Sequence, residues 1–539
     1  MNALVGTGAL TALGLRRDRY RLSAWVLGLG LLMAGMLAGI GGQNRQALVD
    51  EAELFASTPA LRIFGVASGA SQGATTMIRG YLLLAVLAAV LSILTLVRHT
   101  RQNEETGRAE LVGSAVVGRH AGLAAGMLVT AGANAALAVV LALAGFAAGQ
   151  PAVGSLTAGL AVGALGLVFA GVAAVTAQLS STTRAAAGLA AAVLGLAFVL
   201  SGVGNMLGSA DASGVRLVSG WPAWLSPLGW GQQMRPYGGD NLWPLGLSAL
   251  AFVLLLGVAL ALAARRDVGS SIFTERRGRA EAAPALGSPF GLVWRLQRSA
   301  LLGWAAGLLG FGLVFGAIVD EMKDIGGAGA EWYARMGGSE QILDAYRTSV
   351  VQMAGMAVAI YVVQILLRTR TEEVEGRLEP VLAAAVSRPR WLLANLLNAG
   401  LGAVALLLVF ATGMGLAGGA VLGDVPAELR ALTGAGLVQL PAILLIAGAV
   451  VAFTALLPRA ASALSWALLL LSVVLGPMFG AATLQLPSWV QDLSPFTHTP
   501  KLPAAELGGV PVVILVAISA ALVAAGVATF RRRNLALPS

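Results

Sequence analysis

Cysteine is absent from the 539 residues, which excludes disulfides, thiolate metal sites and a cysteine nucleophile. Lysine is almost absent, with Lys323 and Lys501 set against a background of arginine. A phosphate-binding loop needs lysine after glycine, and these two follow Met322 and Pro500, so the sequence offers no ATPase site of that kind. His99, His120 and His498 are the only histidines. They show no ligand spacing and no serine–histidine–aspartate arrangement, so neither a metal site nor a hydrolytic triad is expected. Charge is the largest deficit. Only 11% of residues are charged, where a soluble domain carries about a quarter.

What is present is apolar: 57% of residues are hydrophobic and the mean hydropathy is +0.81. Lipid must therefore be the main solvent. A spanning helix needs about 20 mostly apolar residues. Twelve such stretches predict spans at 22–40, 76–97, 120–147, 153–177, 185–207, 243–264, 299–319, 346–367, 391–418, 431–456, 460–482 and 509–529. An even count places both termini on one side. That side collects most of the 35 basic residues, among them Arg16, Arg17, Arg19 and Arg21 at the start and Arg531, Arg532 and Arg533 at the end. Basic loops stay in the cytoplasm, so both termini are expected there. The net charge of +9 then serves insertion, and nucleic-acid binding is not expected.

The chain is one unit written twice. Glu104, Gly107, Arg108 and Glu110 recur as Glu373, Gly376, Arg377 and Glu379, at an offset of 269 (376 − 107). Arg101 and Arg370 match at the same offset, as do Arg119 and Arg388. Trp25 and Gly28 within the first long run are echoed by Trp304 and Gly307, which argues that 22–40 is a true span and not a cleaved signal. Late in each half, Trp221, Leu225, Ser226 and Pro227 match Trp489, Leu493, Ser494 and Pro495. Two copies with an even span number share one orientation and are related by an axis along the membrane normal. The expected organisation is all-α, twelve transmembrane helices in two parallel six-helix repeats: 1–264, a polar linker 265–295, and 296–539.

Each copy of the motif falls in the loop after the second span of its half. Glu104 and Arg108 stand four apart in the favourable helical order, as do Glu373 and Arg377. With Leu111, Val112, Ala115 and Val116 behind them, they predict a short amphipathic helix lying at the membrane surface. The inside rule needs only the arginines. The repeated glutamates ask for another reason, and a docked partner supplies one.

An acidic residue, Gly, then Glu, followed by a Val-Gly/Ser-Arg stretch and a new span, resembles the signature of ABC-2-type exporter permeases. In topology the resemblance covers essentially the whole chain; its specific residues are confined to the two loops. The chain resembles the fused, twelve-span actinobacterial members associated with export of polyketide antibiotics and other drugs. The usual proline after the motif is missing, with Val116 and Ala385 near its place. The resemblance implies that each loop is a coupling helix docking one of two copies of a separate ATPase subunit, which binds the ATP and Mg. This chain would bind no cofactor itself, would not be an enzyme, and would sit in the bacterial plasma membrane moving a hydrophobic small molecule. Lipid or polysaccharide cargo remains open. The route would run between the halves, with Phe198, Asn205, Met353, Met356, Tyr361, Met478 and Phe479 as candidate lining. The Trp- and Pro-rich stretches 208–242 and 484–508 read as interfacial or re-entrant segments, which in similar exporters form the outer gate. Arg79 and Arg347, near the outer ends of the second and eighth spans, read as snorkelling cations or as an exit for an anionic substrate.

The rival reading is a proton-coupled secondary multidrug transporter of the major facilitator type, also twelve spans in two halves. It needs carboxylates within spans, and the 26 Asp and Glu fall in loops or at predicted span ends.

Overall fold

Runs of Leu, Ala, Val and Gly without interior charge can satisfy their backbone in lipid only as helices, and helices are what they form. The computed structural model describes all residues except 1–2, 59–60, 267–280, 325–332, 340, 385, 482–485, 506–507 and 534–539. Residues 267–280 of the expected linker, Ala385 and the side chain of Phe479 therefore lie outside the description. The chain forms two compact units, Met1–Arg277 and Gly278–Ser539.

The first unit runs through α1 (Thr7–Ile40), α2 (Arg45–Ser57), α3 (Gln72–His99), α4 (Arg101–Glu105), α5 (Arg108–Gly113), α6 (Ala121–Ala147), α7 (Ala152–Leu179), α8 (Thr183–Met206), α9 (Pro227–Gln233) and α10 (Pro244–Ala264). Six spans result, α3 and α4 counting together as Gln72–Glu105. At 34 residues, α1 is about 50 Å long. That exceeds a hydrocarbon core of about 30 Å, so its arginine-bearing first turns project beyond it. α3 and α7 are the most enclosed spans, while α10 is almost wholly peripheral. Gly159 and Gly163 let α7 press against α6: a Cβ on Gly159 would lie 2.1 Å from the Ala138 carbonyl oxygen. Small residues spaced by four are the usual means of such close approach in lipid.

The second unit contains α11 (Pro289–Ala317), α12 (Ile342–Val374), α13 (Leu378–Ala383), α14 (Arg388–Leu422), α15 (Val425–Leu437), α16 (Leu440–Leu456), α17 (Ala461–Leu475), α18 (Ser488–Gln491) and α19 (Gly509–Arg532). Here the glycine contact joins α11 to α14, with Gly312 and Gly316 against the carbonyls of Phe410 and Met414. α15 and α16 form one span broken at Val438–Gln439, where Pro441 lacks the N–H that would continue the ladder.

Eleven helices among the described residues are long and apolar enough to cross a membrane. The expected span at 460–482 is the exception: its α-helix, α17, has only 15 residues. Pro477 forces Gly476 into an extended conformation, and a π-helical turn, Pro477–Ala481, follows. Among the described residues the strands amount to one two-residue pair, Ser209–Ala210 antiparallel to Leu217–Val218. The protein is an all-α, multi-pass membrane protein.

Candidate functional site

The repeated glycines set the geometry of both motif loops. Gly107 and Gly376 adopt left-handed backbone, with φ of 70° and 72°, which glycine does at no steric cost. Each donates a hydrogen bond typical of a helix end: the Gly107 N–H to Glu104 O at 3.1 Å and the Gly376 N–H to Glu373 O at 3.2 Å. The chain then turns into a new six-residue helix, α5 in the first unit and α13 in the second. The expected continuous helix is therefore divided, and the expected Glu104–Arg108 and Glu373–Arg377 pairs do not form. A left-handed residue between the partners destroys the i, i+4 register. Arg377 pairs instead with Glu375 at 2.9 Å.

Glu104 and Glu373 turn inward. Arg266, just beyond the end of α10, grips Glu104 with both guanidinium nitrogens, at 2.5 and 2.8 Å, while Arg101 reaches it at 2.5 Å. Arg266 also donates to Gln178 at 2.8 Å, and the buried Arg101 donates to the Ser180 carbonyl. The second unit repeats the plan. Arg533, capping α19, holds Glu373 at 2.6 and 2.7 Å, and Arg370 stands 3.0 Å away. Arg388 donates to the Arg533 carbonyl at 2.5 Å, and the Arg533 guanidinium lies 5.2 Å from the Phe530 ring centroid. A buried carboxylate is costly unless paired and hydrogen-bonded, and each is held by two arginines. Each half thus ties the end of its second span to the end of its last.

The sequence reading missed these clamping arginines, although the signal was there. Arg266 and Arg533 both follow a final span, 267 positions apart (533 − 266), where the positive-inside rule alone accounts for them.

What remains outward is Arg108, Glu110 and Leu111 on α5, with Arg377 and Glu379 at the second loop. Leu111 is 76% exposed and Val116 75%, so the expected apolar stripe is only partly covered, by half-buried Val112.

A further node was not anticipated. Asp18, buried to 1% exposure on α1, accepts from Arg21 at 3.0 Å, stands 2.9 Å from His99 and lies 3.2 Å from Arg98. By the Trp25–Trp304 alignment, its counterpart is Gln297, which is equally buried but neutral. Gln297 donates to Asn395 at 3.1 Å and accepts from Asn398.

At the opposite ends of the spans, the Trp- and Pro-rich stretches form short helices pinned by matched serines. Ser226 caps α9 and donates to the Ala197 carbonyl at 2.6 Å; Ser494 caps the 3₁₀ turn Pro495–His498 and donates to Ser472 O at 2.6 Å. Trp221 and Trp489 remain open, 72% and 71% exposed, as interfacial anchors do. Beyond α9 the chain holds Arg235, Tyr237 and Asp240 at positive φ, uncommon for side-chain-bearing residues. Burial pushes the Tyr237 phenol above its ordinary pKa, and its hydroxyl lies 3.2 Å from Ser155.

Arg79 and Arg347 are each ion-paired with a carboxylate. Arg79 meets Glu51 at 2.5 and 2.6 Å; Arg347 pairs with Asp344 at 2.9 Å and with Glu428. The candidate lining residues are divided between the units, Phe198 and Asn205 in the first and Met353, Met356, Tyr361, Met478 and Phe479 in the second. Asn205 is fully buried, donating to Gln232 at 2.9 Å and accepting from Ser219 at 2.8 Å. Tyr361 is buried against Gly402, its ring edge-on to Trp304 at 6.3 Å. Met356 is buried, and Phe198, Met353 and Met478 are half-buried.

Residues 286–531 match the family model described as the C-terminal domain of the multidrug efflux system permease Rv1217c. Along its whole length the chain is similar to the multidrug efflux system permease protein Rv1217c of Mycobacterium tuberculosis. The two are 38% identical over 543 residues, covering 99% of this chain and 96% of that protein. The duplicated spans and loops described above are thus those of a recognised group, and the chain belongs to the Rv1217c family of multidrug efflux permeases.

Proposed function

We propose that this protein is the membrane subunit of an ATP-driven exporter of the ABC-2 type. It moves hydrophobic small molecules, drugs or polyketides, out of a bacterial cell through the plasma membrane, with both termini in the cytoplasm. In this reading α17 with its π turn serves as the eleventh of twelve spans, and the two six-span halves run parallel. The family relative, named for multidrug efflux, supports the substrate class.

The observation that carries the reading is the device built twice. A left-handed glycine presents a short exposed helix, and the residues just before it are locked to the last span by a buried Glu–Arg clamp. The work of the repeated glutamates is thereby divided. Glu104 and Glu373 act as internal struts; Glu110 and Glu379, with Arg108 and Arg377, meet the partner. That partner is an ABC ATPase in two copies, holding ATP and Mg itself, one copy per loop. Closure of the ATPase pair pushes each short helix, Gly107 or Gly376 sets its angle, and the clamp passes the displacement to α10 or α19. A proton-coupled carrier would need titratable carboxylates inside its spans, whereas Glu104 and Glu373 sit at span ends, each held by two arginines.

The test is a pull-down of tagged protein from its native membrane, comparing wild type with the double variant Glu110→Arg, Glu379→Arg. An ABC ATPase that copurifies with wild type, and is lost from a correctly inserted double variant, is the expected result. No ATPase under gentle detergent, with proton-driven transport intact in vesicles, would overturn the reading.

A further inference from the structure

The first unit holds a cavity of about 450 Å³ beneath the motif loop, within the range of small-molecule sites. Its walls come from the projecting start of α1, the end of α3, α5 and the start of α6. Arg17, Arg108 and Arg119 converge on it. Arg17 donates to Asn103 at 3.2 Å and Arg119 to the Arg266 carbonyl at 3.2 Å, yet none of the three is ion-paired among the described residues. Glu104, the one carboxylate on the wall, is already held by Arg101 and Arg266, and His99 is held by Asp18. Among the described residues, three cations thus face the cavity without a counter-charge.

Between them the lining is apolar: Leu10 and Leu13 from α1, Val112 and Val117 from the loop, and Leu123 from α6. Leu13 is more than half exposed in spite of this position. Cations around an apolar floor, at the depth where α1 leaves the hydrocarbon, fit an amphiphile whose anionic head meets guanidinium forks and whose tail continues into the bilayer. Arginine suits phosphate oxygens through paired N–H donors, and an anionic membrane surface supplies such heads.

We propose that this cavity binds the headgroup of an anionic phospholipid, bridging α1 to the motif loop of the first half only. The second half lacks one of the cations: at the Trp25–Trp304 alignment Arg17 is replaced by Leu296. Arg108 also belongs to the proposed docking helix, but Arg17 and Arg119 do not, so the inference stands whether or not an ATPase docks on the exposed side of α5, and lipid retention in Arg17→Gln is read separately from ATPase capture.

The experiment is native mass spectrometry of the full chain in detergent doped with dioleoylphosphatidylglycerol or dioleoylphosphatidylcholine. Wild type is expected to retain the anionic lipid in preference. The triple variant Arg17→Gln, Arg108→Gln, Arg119→Gln should weaken that retention by about tenfold or more, given the pull each arginine near the surface exerts on anionic lipid. Arg16→Gln with Arg19→Gln, which lie outside the cavity, should leave it unchanged. Should the triple variant aggregate, Arg17→Gln alone carries the comparison, with a loss of about two- to threefold. Equal retention of the two lipids by wild type, or undiminished retention by a monodisperse triple variant, would overturn the proposal. Displacement of the bound lipid by free glycerol 1-phosphate would also overturn it, making this a site for a soluble anion.

Discussion

The two halves agree at one node and part company at another. In both, a glutamate at the end of the second span is held by an arginine from the end of the last: Glu104 by Arg266, Glu373 by Arg533. Near the entry of the first span the halves diverge, with Asp18 among Arg21, Arg98 and His99 in one, and Gln297 between Asn395 and Asn398 in the other. A duplicated charge pair that both copies keep is doing the same job in each. A charged cluster in one copy that is a neutral amide cluster in the other is serving that half alone. The broken span α15–α16 against the unbroken α7 is a second such divergence.

The largest effect should come from cutting a clamp. Glu373→Ala leaves the half-buried Arg370 and Arg533 without their buried carboxylate, and removal of one partner from a buried pair costs roughly 3–5 kcal/mol. Thermal unfolding of the purified protein should drop sharply, and transport should be lost. Glu104→Ala should cost at least as much: its own side chain is 13% exposed against 3% for Glu373, but the arginines it strands, Arg101 and Arg266, are 0% and 8% exposed against 18% and 13% for Arg370 and Arg533. A double-variant cycle on Glu373 and Arg533 should return a coupling well above 1 kcal/mol. A coupling near zero would break the claim that the clamps are the shared element.

Next in size is the divergent node. Asp18→Asn makes the first half resemble the second, but strands Arg21 and Arg98 beside a buried neutral group; about 2–3 kcal/mol should be lost, within the range for charged hydrogen bonds. The reciprocal Gln297→Glu buries a carboxylate between two amides and should destabilise too. If either change is neutral, the two nodes are interchangeable and the contrast falls.

Gly107→Ala and Gly376→Ala come third. A Cβ in left-handed backbone costs on the order of 1 kcal/mol, and equal losses from the two would confirm that both loops use one hinge. Asparagine at the same positions should be tolerated better than alanine, because its short polar side chain visits that region. Reduced transport at unchanged expression would be the measured sign.

Much of the fold was legible because lipid leaves the backbone few options. Every apolar run in the sequence became a helix, and only 460–482 fell short, because Gly476 and Pro477 interrupt it. The loops were legible as loops, and Gly107 and Gly376 as repeated positions. Which way each glutamate points was not legible, because i, i+4 spacing implies contact only if the helix continues, and the glycine that made the motif recognisable also breaks it. Asp18 was hidden for another reason. It lies inside an arginine cluster that the positive-inside rule explains completely, so nothing in the sequence asked for its carboxylate to be buried.

The smallest effect sharpens the comparison at the other ends of the spans. Arg79 and Arg347 occupy equivalent positions, 268 apart (347 − 79), and both are ion-paired, but in different surroundings. In the Arg79–Glu51 pair the arginine side chain is 48% exposed and the glutamate 12%; in the Arg347–Glu428 pair the values are 14% and 10%. Water screens the first pair and scarcely reaches the second. An exposed pair contributes no more than about 1 kcal/mol, so Arg79→Gln should shift thermal unfolding barely, and less still at high salt. Arg347→Gln leaves Asp344 and Glu428 facing each other half-enclosed, and should cost about 1–3 kcal/mol with little salt dependence. Equal shifts for the two variants would mean that burial does not set the difference. A larger loss at Arg79 would mean that α2 depends on Glu51 for its place, since that pair joins α2 to α3.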